Sequence, residues 1–174
     1  MTTMKDRFHK AVTFSDFLET VQVHQDLWRQ LYERARLPKE AKETAGFLPG
    51  RWHLLVLAED WCGDALHVLP YLARLEEEFP RFAFRILSRE ENPDLMDSHL
   101  TNGSRSIPVV MILDEEFREV GWWGPRPQPL QDLFLREIKS LPLEERFPKL
   151  RAWFVRDRGR TTLREILSRI PVAV

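Results

Sequence analysis

The sequence predicts an α/β fold: a central mixed β-sheet flanked by helices, with a helix before it and a helical extension after it. Three observations carry this expectation. The short continuous apolar run "RWHLLVLA" (51–58) has the pattern of a strand buried in a covered sheet, and "RFAFRIL" (81–87) reads as another strand, with a helical pattern between them. A second pair, "IPVVMIL" and "REVGWW", is joined by the acidic turn "DEEF" and reads as a hairpin. The segments on either side of this core repeat their apolar residues at helical spacing.

Taken in order, the chain begins with an expected helix over about 15–37. Ser15 suits its N-cap, Asp16 and Glu19 suit its positive start, and Phe17, Leu18, Val21, Trp28 and Leu31 supply its apolar stripe. Pro38 stops it, and the polar "KEAKETAGFLPG" reads as a loop. After the first strand, "CGDALHVLPYLARLEEEF" places Leu66, Leu69, Leu72, Ala73 and Leu75 at helical spacing, with Pro70 expected to kink it. "NPDLMDSHL" follows the second strand as a short helix, with Asn92 as N-cap and Pro93 at its first position. "PQPLQDLFLREIKSL" reads as a closing helix. The tail, about 147–170, reads as two more: Gly159 ends the first, and Thr162 with Glu165 has the spacing of a capping box for the second.

The 174 residues suit one domain, with a core at about 45–140 large enough to need no disulfide or metal. A net charge of -1 argues against a general role on nucleic acid or membrane surfaces. The charge is uneven: residues 148–174 hold seven basic and two acidic side chains, a net of +5, which leaves -6 on the rest. The basic tail therefore meets an acidic partner or packs on the acidic body. The one cysteine excludes an intramolecular disulfide. The chain has neither a membrane-spanning apolar stretch nor the apolar core of a signal peptide at its start, so the expected compartment is the cytoplasm.

That cysteine, Cys62, stands in "AEDWCGDALHVLP", where the first strand ends and the next helix opens. Free N–H groups and the helix dipole favour a thiolate there, while Glu59, Asp60 and Asp64 disfavour it. Trp61 would flank the sulfur, and Gly63 would let a substrate backbone approach. Cys62, Asp64 and His67 have a conceivable metal-ligand spacing, but one helix cannot easily aim all three inward. No metal or other cofactor is expected, and His67 reads as a partly buried, hydrogen-bonded side chain. "RDRGR" beside Trp153 and Phe154 reads as a basic turn packed by aromatics rather than a nucleic-acid site, and "NGSR" is too weak for a phosphate loop.

"WCGD" after "LLVLAED", Pro70 eight residues beyond Cys62, and "NGSRSIPVV" downstream together resemble the thioredoxin superfamily. The resemblance implies the thioredoxin fold. It further implies that the Ile107–Pro108 bond is cis and faces Cys62, and that Ile107 offers backbone to an extended substrate. "WCGDALH", "LMDSHLTNGSRSIP", "WWGPRP" and "RDRGRTTL" more narrowly resemble a bacterial thioredoxin-like group with alanine at the second cysteine position, here Ala65. The chain departs from the dithiol pattern twice. Ala65 removes the resolving thiol, and Val56 stands where thioredoxins carry a buried acid. The implied site is Cys62 as nucleophile, with Trp61, Gly63, Asp64, Ile107 and Pro108 binding substrate. Two functions follow. One is monothiol thiol–disulfide exchange or redox sensing, resolved by an external low-molecular-weight thiol, with weak or no dithiol reductase activity. The other is a non-catalytic module that binds a protein or peptide. A homodimer joined through Cys62 is a weaker third.

Overall fold

A computed structural model describes residues 2–172. Its sheet has four strands in the order β2-β1-β3-β4: β1 (Trp52–Ala58), β2 (Phe82–Ser88), β3 (Val109–Leu113) and β4 (Glu119–Trp123). β1 runs parallel to β2 and antiparallel to β3, and β3 and β4 form the hairpin. The continuous apolar run of β1 has the cause expected of it, whereas β2 alternates buried and half-buried residues. All of β3, and β1 from Leu54 to Ala58, is buried, so neither face has room for a polar side chain. Val56 sits at the middle of the sheet, paired with Ile86 on one side and Val110 on the other.

Four helices precede the sheet: α1 (Met4–Lys10), α2 (Phe14–Thr20), α3 (Gln25–Arg34) and α4 (Lys39–Phe47). The single helix expected over 15–37 is therefore two. α2 is capped by Thr13, whose Oγ1 accepts the Asp16 N–H at 3.1 Å, and Ser15 lies inside it. The break has a cause outside the segment: the Asp60 carboxylate accepts the N–H groups of Gln22 and Val23 at 2.8 and 3.2 Å. The segment expected to be a loop is helix α4. Its buried face is made of Ala41 and Ala45, and the Arg81 guanidinium holds the carbonyls of Ala45 and Leu48 at its end.

α5 (Gly63–Glu78) follows β1, with Pro70 inside it, and α6 (Pro93–Asp97) follows β2. The closing helix is α7 (Gln128–Leu133), continued by one π-helical turn over Phe134–Ile138. The extension is α8 (Leu143–Asp157) and α9 (Arg160–Ser168). Arg158 and Gly159 between them are both left-handed. A Cβ on Gly159 would lie 2.6 Å from the Tyr71 ring, so this turn needs glycine twice over. α9 begins at Arg160, two residues before the expected cap. Thr162 is instead fully buried within it, and Glu165 accepts the Trp123 indole N–H at 2.8 Å and the Gln128 N–H at 3.0 Å. Among the described residues no helix is long and apolar enough to cross a membrane.

Candidate functional site

Three loops meet at the N-terminal end of α5. The first, Glu59 to Cys62, leads out of β1. Its two acids turn away from the sulfur. Glu59 accepts from Ser88 Oγ and the Arg89 N–H, and Asp60 holds the α2–α3 break. Trp61 is 49% exposed, with the Arg89 guanidinium 5.1 Å above its ring. Arg89 also donates to the Arg105 carbonyl at 3.0 Å, which ties this loop to the second one.

The second loop ends at Ile107–Pro108, a cis peptide bond, with both residues buried. The third holds Gly124–Pro125, also cis. Gly124 packs directly on the second loop, since a Cβ there would lie 2.1 Å from the Pro108 carbonyl oxygen. Two residues on, Arg126 reaches back to Asp64 at 2.9 Å; Asp64 is buried and Arg126 largely so, and the Arg126 guanidinium rests 4.0 Å above the Phe134 ring presented by the π-helical turn.

Cys62 occupies the N-cap position of α5 and is only 7% exposed. Its thiol donates to the Ile107 carbonyl at 3.4 Å. Burial, and then the charge of Asp64, push the thiol up to about 12; the Ala65 and Asp64 N–H groups and Arg126 pull the other way and lose. The sulfur is thus a protonated donor at neutral pH. Asp64 is itself held above the usual carboxylate range by burial, against the pull of Arg126.

The resemblance-implied residues Trp61, Cys62, Gly63, Asp64, Ile107 and Pro108 lie along the three loops and the start of α5, but they do not form one open surface. Gly63 faces the chain's own extension. A Cβ there would lie 2.4 Å from the Phe147 ring of α8, so the missing side chain is the room that Phe147 occupies. Of the tryptophan pair, Trp123 is core, and Trp122 sits edge-on to His99. His67 shares a 2.8 Å hydrogen bond with the Gly63 carbonyl and stacks on Phe154. Among the described residues no group of three or more His, Cys, Asp or Glu is placed to hold a metal ion.

A thioredoxin family model matches residues 11–141. The chain belongs to the thioredoxin family. Two solved structures share the fold over nearly the whole chain. A protein of unknown function from Pseudomonas aeruginosa has a TM-score of 0.78 at 24% identity, covering 97% of each chain. An HIV epitope-scaffold has 0.75 at 23%, covering 98% of each. The likeness therefore extends into α8 and α9, beyond the matched thioredoxin segment. No curated protein matches the chain.

Three contacts of this thioredoxin-family site were not foreseen in the sequence: Asp60 on the α2–α3 break, Arg126 on Asp64, and Phe147 against Gly63. Each acts across a long separation in the chain.

Proposed function

We propose that this thioredoxin-family chain is a non-catalytic binding module that takes an extended protein or peptide segment, and not a thiol–disulfide catalyst. The observation that carries this reading is the sealed, protonated Cys62. The thiolate is the nucleophile, and with its pKa near 12 only about one thiol in 10^5 is ionised at pH 7. The greater nucleophilicity of a high-pKa thiolate recovers part of that deficit. Attack is still about 100-fold slower than from a free cysteine, before access is considered. Val56, packed between Ile86 and Val110, leaves an apolar place where a dithiol enzyme has its acid, and Ala65 leaves no resolving thiol.

What remains is a docking edge. Exposed Trp61, with the Arg89 guanidinium over its ring, and the exposed residues Ser104 and Arg105 on the neighbouring loop suit the side of an extended segment. Ala65 and the one cysteine support a place in a single-cysteine, bacterial branch of the family, and a lone unpaired thiol supports a cytoplasmic setting.

The test is alkylation of the native chain by iodoacetamide from pH 6 to 11, with the urea-unfolded chain as reference. Native Cys62 is expected to react at least 100-fold more slowly at pH 7. A native rate equal to the unfolded one overturns the module and restores monothiol exchange or redox sensing with a low-molecular-weight thiol. Selection of a displayed peptide library on the full chain gives the positive arm: bound clones should be lost with Trp61→Ala and kept with Cys62→Ser.

A further inference from the structure

A cavity of about 470 Å³ opens between α3, the connector after it, α5 and α8. Its volume lies in the range of small-molecule sites. The floor is apolar: Leu31 from α3, Leu37 from the connector, Leu66, Pro70 and Tyr71 from α5, and Phe154 from α8. His67 also lines it and is neutral at pH 7, because burial pulls it down to about 4. Every charged residue of the lining has the same sign: Arg34 and Arg36 on one wall, Arg151, Arg158 and Arg160 on the other. Among the described residues none of the five has a carboxylate within ion-pair distance. Arg36 bonds only backbone carbonyls, those of Glu33 and Ala35.

Five guanidinium groups around one apolar hollow, in a chain whose net charge is -1, are a local excess of donors and charge without an internal partner. We infer that this cavity binds a small amphipathic organic anion, a carboxylate or phosphate on an apolar body, with the anion among Arg34, Arg151 and Arg158 and the body on Leu31, Tyr71 and the edge of Phe154. Arginine suits both headgroups because its planar fork matches carboxylate and phosphate oxygens in pairs. A purely inorganic anion leaves the apolar floor wet, and a neutral amphiphile leaves the arginines unmatched. The site is separate from the Cys62 loops, so it stands or falls independently of the binding module proposed there.

The test is calorimetric titration of the full chain with four probes: decanoate, 1-decanol, inorganic phosphate and a poly-glutamate peptide. Decanoate is expected to bind one to one, at least tenfold tighter than 1-decanol or phosphate, and to weaken as salt is raised. Arg151→Gln with Arg158→Gln is expected to weaken decanoate at least tenfold while leaving the ligand-free melting temperature within a few degrees. Val155→Glu, which places an acid on an exposed part of the same wall, is expected to do the same. Equal affinity for decanol overturns the inference, as does unchanged decanoate binding in folded variants. Binding of poly-glutamate alone overturns it in favour of a polypeptide partner.

Discussion

At the scale of single residues, burial decides the chemistry. Cys62 and His67 both sit where ionisation is expensive, so one keeps its proton and the other refuses one. His67 makes this measurable. The unfolded chain takes up a proton there below about pH 6.5, and the native chain only near 4. Stability therefore falls with pH across that window, by up to about 3 kcal/mol from this group. The difference between wild type and His67→Gln in urea unfolding from pH 7 to 4 should show it. His99 has the opposite sign. Its ring nitrogen Nε2 meets Glu119 at 2.9 Å and its pKa is raised, so its contribution is complete below about 6.5 and is lost as pH rises through the raised value. Asp64 and Arg126 form a second test. Asp64→Asn leaves a largely buried guanidinium without its counter-ion and should cost about 2–4 kcal/mol. Replacing the pair together, as Asp64→Leu with Arg126→Met, should cost less than the single change.

At the scale of elements, the loop that carries the site also holds the N-terminal helices in place. Asp60 fixes the α2–α3 break through two N–H groups, and its carbonyl accepts the Trp28 indole N–H at 2.9 Å. Asp60→Ala should speed hydrogen exchange at Gln22 and Val23 more than tenfold, at a cost of about 1–3 kcal/mol in urea unfolding. Asp60→Asn should keep part of both. The same arrangement shows what sequence patterns can carry. β1, β3 and α5 were legible because their burial is written in consecutive or periodic apolar residues. The α2–α3 break was not, because the group that makes it comes from the β1–α5 loop. α4 was missed because the face it buries is two alanines, a signal too small to separate from a polar loop. In the site, Cys62, Gly63 and Ile107–Pro108 were legible by motif. The burial of the thiol was not, nor were the partners of its neighbours: Phe147 against Gly63 and Arg126 on Asp64 come from distant segments.

At the scale of the whole molecule, α8 and α9 are part of the core and not an appendage. Phe154, Leu163, Ile166, Leu167 and Ile170 are all nearly fully buried. At about 1.5–3 kcal/mol each, their burial is comparable to the total stability of an ordinary domain. A chain ending at residue 141, where the thioredoxin match ends, should therefore lack a cooperative melting transition and bind a hydrophobic dye. A truncated chain that melts cooperatively near the full-length temperature would show the extension to be dispensable.

The packing of α4 against α9 also sets a schedule for biosynthesis. α4 ends at Phe47 and its cover ends at Ser168, about 120 residues later. At roughly 5–20 residues per second, the ribosome takes ~10 s to supply that cover. Throughout that interval the Ala41 and Ala45 face is open to water and to other chains. Its small side chains keep that exposure mild: a face of large apolar residues would wait just as long and offer nascent chains far more to stick to.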